Sequence, residues 1–556
     1  MREAEPLADE PPSSRRTTAL LLAVSALSLL PRLWLSLTST LSHNGAWHVF
    51  TCRNFAREFR GIAHPPLFLL LLKACDAASR SLLSYRLVPM LAGAGSVFLA
   101  GRILQRLRCL PATCIIGALA VALSTTMIAL SNQVEGYALC VLFVLAAFFF
   151  YLDLARPDRV PPVRSRIGFA AFASLALLTE YLAGLFLVAC ALAPLAGAAL
   201  RRGYRREWKS ALPRRLAADV LTLLPPLLVG GGLYALFARV WVRRLAGPAS
   251  GLTTLYFRPA AESAVGFLAR TLGSTWNLVS PLPLENFGAG ALAVFLLLVV
   301  ALPAAREGER RPSAARLLPA LVLVILIVVG AVLGLLRRYP FGGTPRHQVL
   351  ILLFALLAAF VALDSFLSAT RGTGRAALAV LCAAAIGANV VANRDRLRRF
   401  GRDEPLNVQA GTYARELTRV RTVHLDLMNF IGLFMDYYPW DCRFAGRISQ
   451  SPPIERYELS REGRRLTVIA HRGIWMMDFR AAALYRELRT TMPAGACETA
   501  FSIDRNLFRA PRTARPQGER RELEQRIPAL ASAADLQTRS LTIDDDLVKA
   551  GVCCRP

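Results

Sequence analysis

Apolar blocks long enough to cross a bilayer, ~20 residues for ~30 Å of hydrocarbon, recur through this sequence and leave it few ways to fold. Thr17 to Thr40 is broken only by Pro31 and Arg32, while Gly136 to Leu154 and Leu317 to Leu336 carry at most one charge. With 54% hydrophobic residues gathered into such blocks, the chain has the composition of a polytopic membrane protein. The first block is too long for a signal peptide and lacks a clean small-residue cleavage pattern, so it reads as a retained span after a cytoplasmic leader, 1–16.

A formal charge of +28, from 66 basic and 38 acidic residues, would suggest nucleic acid in a soluble protein. Here the basic residues cluster after alternate apolar blocks, at Arg15 and Arg16, Arg102 to Arg108, Arg156 to Arg166, Arg201 to Arg215, Arg306 to Arg316, and Arg371 with Arg375. Such clusters mark cytoplasmic loops, and no nucleic-acid reader motif accompanies them. Spans are expected near 17–39, 86–105, 112–130, 136–154, 167–180, 181–200, 217–238, 288–304, 317–336, 348–367 and 376–393. That is about eleven crossings by length and hydropathy, with the N-terminus cytoplasmic and everything after Asn393 outside. The fifth and sixth could instead be one long helix burying Glu180.

Long segments then fall on one side: 40–85, 239–287 and the Gly/Pro-rich 337–347. Loops of this length usually carry function. From 396 to 556 the long apolar runs cease. Arg421 to Leu427 and Arg465 to His471 alternate like strands, and Met428 to Tyr438 and Asp478 to Arg489 have helical periodicity. A small α/β extracytoplasmic domain fits, with an Arg- and Pro-rich, flexible stretch near 510–523. Of the eleven cysteines, Cys442, Cys497, Cys553 and Cys554 belong to this domain. An oxidising compartment favours a Cys442–Cys497 disulfide, although spacing does not fix connectivity.

The most informative motif is His64-Pro65-Pro66-Leu67, followed by Arg86-Leu87-Val88-Pro89-Met90-Leu91-Ala92-Gly93. Paired prolines suit a helix start, where the missing N–H groups cost nothing. The order of these strings resembles the GT-C membrane glycosyltransferases, in the bacterial branch related to protein mannosyltransferases and aminoarabinose transferases. There a long first exterior loop ends in an HPP-type motif before an R-x-x-x-x-L-x-G helix. Gln133 to Ala138, containing Glu135 and ending near Tyr137, Glu180-Tyr181, and Arg346-His347 match further short motifs, and the resemblance spans residues 17–395.

The resemblance implies a donor sugar on a polyprenyl phosphate, approached from the exterior face, and a lipid, glycan or protein acceptor. No cofactor is implied beyond that donor substrate. A phosphate leaving group needs cations, and an acceptor hydroxyl or amine needs a group to take or orient its proton. Arg337, Arg338 and Arg346, with His64, Tyr137 and Tyr181, are the candidate binding residues; interfacial arginines are the plainer reading of the first three. The family usually carries Asp-Glu before the HPP motif, where this sequence has His43-Asn44. An amide is not a base, so Asn44 becomes a binding candidate and Glu135, Glu58 and Glu180 become candidate catalytic carboxylates, Glu135 foremost. His43 and His48 lack the spacing and companions of a metal site.

The loss of the carboxylate keeps a second reading open, a non-catalytic or transport protein for a polyprenyl-linked glycan. The enzyme reading requires His64, Glu135, Glu180 and Arg346 to converge at the exterior membrane boundary of what would be a bacterial inner membrane protein.

Overall fold

A computed structural model describes residues 12–39, 41–58, 64–156, 161–200, 222–238, 262–279, 287–306, 314–369, 422–426, 439–450, 453–471, 497–503, 536–544 and 547–554, with a few isolated positions between them. The first apolar block forms α1 (Pro12–Leu27) and α2 (Leu29–Thr38). Pro31 has no N–H to donate to the preceding turn, and the chain breaks at Ser28. The fully buried Arg32 repairs the break, donating 2.7 Å to the Ser28 carbonyl and 3.1 Å to Ser131 Oγ.

The long first loop contains α3 (His43–Arg53), α4 (Phe55–Glu58) and α5 (Pro66–Ala78). Ser42 caps α3, accepting from Gly45 N at 3.1 Å. The paired prolines act as the spacing predicts, with Pro65 as the N-cap of α5 and Pro66 at its first position. Next comes α6 (Leu82–Arg106), whose buried Arg86 donates to the Ser36 and Ser39 carbonyls at the end of α2. The third expected span divides into α7 (Pro111–Leu123) and α8 (Thr125–Leu130), Ser124 capping the second.

The bundle continues through α9 (Tyr137–Leu154), α10 (Val163–Thr179), α11 (Ala183–Leu200), α12 (Thr222–Leu236), α13 (Ala264–Val279), α14 (Gly288–Arg306), α15 (Leu318–Leu335) and α16 (Val349–Ala369). The fifth and sixth spans are separate helices, divided at Glu180, so the single-helix alternative does not hold. Helix α13 lies inside a segment expected to be a loop. A Cβ on Gly288 would meet the Gly273 Cα at 3.0 Å, so α13 and α14 approach backbone to backbone through small residues, as membrane helices commonly do. Helices occupy each expected span as far as Leu367; the last, 376–393, lies outside the described residues apart from 387 and 391.

The basic loops are anchored by buried acids. Asp364 accepts from Arg316 at 2.7 Å and from Leu110 N at 2.7 Å, joining α16 to the start of α7. Asp153 pairs with Arg106 and accepts from Ser165 at 2.6 Å, joining α6, α9 and α10.

The C-terminal region is a mixed seven-stranded sheet of order β2-β3-β4-β1-β5-β7-β6. The strands are β1 (Thr422–Asp426), β2 (Asp441–Gln450), β3 (Pro453–Arg461), β4 (Arg464–His471), β5 (Cys497–Ile503), β6 (Leu536–Asp544) and β7 (Leu547–Cys554). Central β1 runs parallel to β4 and β5; the other pairs are antiparallel. Glu462 and Gly463, both at positive φ, form the β3–β4 turn. Both expected strands are present, whereas the expected helices, apart from Leu488 and Arg489, and the stretch 510–523 fall outside the described residues. The expected Cys442–Cys497 disulfide is not formed. Cys442 is a free thiol on an edge strand, and Cys497, opposite Cys553 in the β5–β7 register, is disulfide-bonded without it.

One face of this sheet packs on α3, joining Val423, Tyr457 and Val468 to Val49, Phe50 and Phe68 in a shared apolar core. Around it, Arg53 donates to Asp76 at 2.8 Å and to the Trp440 carbonyl at 2.8 Å. Arg57 pairs with the buried Glu455 and lies over the Phe444 ring, 3.3 Å from its centroid. Arg57→Ala removes the ion pair of the buried Glu455, while the bond from the Tyr457 hydroxyl at 2.7 Å and the more distant Arg447, 3.7 Å away, remain. A cost of about 3 kcal/mol is expected, read as a lower melting temperature in detergent and faster proteolysis near the sheet.

Candidate functional site

Four distant segments bring charged side chains together at the end of the bundle that carries the sheet. Glu135 lies in the turn between α8 and α9, and Glu180 ends α10 in an extended conformation, leaving helical geometry as its side chain turns inward. Both are buried. Gly136 permits this approach, since a Cβ there would come within 2.9 Å of Glu180 Oε1. Buried carboxylates need partners, and each has one. Arg346, in the turn Pro345–Gln348 that opens α16, is 3.2 Å from Glu135 Oε2. His64, just ahead of the Pro65 cap, places Nδ1 3.7 Å from Glu180 Oε1.

Helix α3 supplies the remaining wall. With its amide oxygen turned toward the guanidinium, Asn44 accepts from both terminal nitrogens of Arg346. His48, one turn later, has Nδ1 2.7 Å from the Asn44 main-chain oxygen and its ring against His64, 4.8 Å between centroids. Tyr137 meets the edge of His347 at 6.3 Å, and His347 Nδ1 is 2.9 Å from Thr344 Oγ1.

The charges are layered. The carboxylate side chains of Glu135 and Glu180 are 3% and 6% exposed, those of Arg346 and His64 26% and 33%. An approaching anion therefore meets cations first, with the acids behind them. Burial opposes charge on His64, but the hydrogen bond and charge of Glu180, with Glu135 beyond, raise its pKa above the ordinary value despite Arg346. Burial and the neighbouring charges of His64 and Arg346 drive His48 the other way, down to about 3.

Of the sequence candidates, Asn44, His64, Glu135, Tyr137, Glu180 and Arg346 converge. Tyr181 adjoins Glu180, its hydroxyl buried without a hydrogen-bond partner among the described residues. Glu58 lies apart, 3.9 Å from Arg57 and toward the sheet. Arg337 and Arg338 are exposed after α15 and make no ion pair among the described residues. His48 joins the site although the sequence marks it only as a poor metal ligand; its i, i+4 spacing from Asn44 is the one local signal that the two share a helix face. Among the described residues no three His, Cys, Asp or Glu side chains form a metal-binding group. An apolar groove of about 380 Å³ lined by Phe98, Phe143, Phe150 and Phe172 contains none of these charges.

A raised folded-state pKa for His64 means that its ion pair stabilises fully below the unfolded value of 6.5 and is lost as pH rises through the folded value. His64→Gln should therefore lower the melting temperature most at about pH 5–6, with the difference from wild type shrinking as the solution becomes alkaline. A pH-independent difference would contradict a titrating pair.

No protein-family model matches the sequence, and no curated protein matches it. Two crystal structures of ArnT from Cupriavidus metallidurans do match the structure. The one bound to undecaprenyl phosphate has a TM-score of 0.51 at 14% identity; the apo form has 0.53 at 13%. In each comparison 96% of this chain and 98% of the other are covered. Likeness over the whole length includes the helical bundle and the C-terminal sheet together. This chain thus has the polytopic fold of ArnT, as its HPP motif and the order of its short motifs imply.

Proposed function

We propose that the protein is a glycosyltransferase that moves a sugar from a polyprenyl-phosphate donor to a lipid, glycan or protein acceptor at the extracytoplasmic face of a bacterial inner membrane. The observation that carries this reading is the convergence of His64, Glu135, Glu180 and Arg346, drawn from four segments to one place where the cations are outermost. Undecaprenyl phosphate bound to the ArnT structure gives the donor class a precedent on the same fold. The basic clusters at the other end of the bundle support the orientation, with the N-terminus cytoplasmic and the site and sheet outside.

In this reading Arg346 and His64 meet the donor phosphate, and the leaving phosphate's charge is stabilised where solvent is largely excluded. Glu135 and Glu180 hold those cations in place, and Glu135 is also the foremost candidate carboxylate for proton handling. Asn44 fixes Arg346 without adding a negative charge that would repel the phosphate. Tyr137 and His347 border the same space. The same Asn44 favours the alternative, binding or transport of a polyprenyl-linked glycan without chemistry, because it stands where relatives carry an acid.

Reconstitution in nanodiscs separates the two. Arg346→Gln should weaken binding of undecaprenyl phosphate roughly tenfold or more, the size of a lost charge-assisted hydrogen bond. Glu135→Gln should lower sugar transfer at least tenfold; undiminished transfer would remove Glu135 from both roles. Donor binding by the wild type without transfer to any acceptor in a native membrane extract would favour the alternative.

A further inference from the structure

His48 belongs to the cluster but holds neither cation. Its Nδ1 faces the Asn44 main-chain carbonyl at 2.7 Å. A carbonyl can only accept, so Nδ1 carries the proton and Nε2 carries a lone pair. That Nε2 is buried and has no hydrogen-bond partner among the described residues, in a residue only 3% exposed. The ring is wedged between His64, at 4.8 Å, and the edge of Phe68, at 5.7 Å. A buried acceptor without a donor is unfavourable, and a ligand carrying an O–H or N–H would relieve it.

We propose that His48 Nε2, rather than Glu135, receives the hydrogen bond, and then the proton, of the attacking hydroxyl or amine of the acceptor substrate, leaving Glu135 the role of holding Arg346. The proposal rests on the glycosyl-transfer reading. The nucleophile's oxygen or nitrogen forms a bond to the anomeric carbon as the bond from that carbon to the donor phosphate oxygen breaks. The electron pair of the broken bond leaves with the polyprenyl phosphate, which Arg346 and His64 meet. The nucleophile's proton moves to Nε2 and then to the departing phosphate, restoring neutral imidazole.

The surroundings suit this step. Burial, then the charges of His64 and Arg346, hold His48 near the basicity of a carboxylate, about 3, so it stays an unprotonated acceptor at neutral pH. Glu180 and Glu135 stand behind those two cations. A donor phosphate binding the same cations offsets their charge and strengthens His48 as a base, so proton acceptance is coupled to the donor being in place. An imidazole on the helical turn after Asn44 thus supplies a basic nitrogen that the amide lacks.

The test uses the full chain in nanodiscs, with undecaprenyl phosphate as the binding probe and a native membrane lipid extract supplying donor and acceptor for transfer. His48→Phe should bind undecaprenyl phosphate within threefold of wild type and lose transfer at least a hundredfold. If His48→Phe also loses the lipid, His48→Gln decides, since it keeps a hydrogen-bond acceptor but takes no proton. Lipid bound and transfer lost supports the assignment; lipid and transfer both lost reduces His48 to a structural residue and overturns it. Near-wild-type transfer by His48→Phe, with Arg346→Gln inactive, overturns the assignment while leaving glycosyl transfer intact. A wild type that neither binds undecaprenyl phosphate nor transfers sugar removes both.

Discussion

A charge at the edge of an apolar bundle must find a counter-charge, and two such obligations organise this protein. Glu135 requires Arg346 and Glu180 requires His64. The partners lie on the first loop, the α8–α9 turn, the α10–α11 break and the turn before α16, so satisfying them draws together segments that lipid-facing packing alone would not align. The broken helices follow from the same demand. Glu180 leaves helical geometry to reach inward, and Gly136 gives it room.

Helix α3 ties this cluster to the C-terminal sheet. Asn44 and His48 occupy one of its faces and reach the charges, while Phe50 and Arg53 occupy the opposite face and reach the sheet. The sheet therefore clamps the element that forms one wall of the site. Arg57, held between Glu455 and Phe444, closes that clamp at the far end of the loop. In a small domain attached by a long linker such coupling would be costly in chain entropy; here the shared apolar core compensates.

Much of this was legible in the sequence, for definite physical reasons. Lipid demands long uninterrupted apolar helices, so hydropathy located the spans, and the prolines at 65 and 66 announced the start of α5. Helix α13 escaped because it is amphipathic, with Arg270 on its exposed face paired to Glu262. The partners Glu135 and Arg346 are 211 residues apart, and no local pattern encodes such a pairing. The same limit applies to Cys442 and Cys497, whose fate is set by sheet order: β2 and β5 are separated by β3, β4 and β1. Arg337 and Arg338 share the site's end of the chain and its charge, but the direction in which a loop turns its side chains is settled only by packing. His48 carries the reverse lesson, since its importance comes from a tautomer fixed by one carbonyl.

The most direct test of the central claim is an experimental structure of the full chain in nanodiscs with undecaprenyl phosphate. The phosphate should lie within hydrogen-bonding distance of both Arg346 and His64, with Glu135 and Glu180 behind them. Phosphate density elsewhere, with these four side chains still closed on one another, would contradict it.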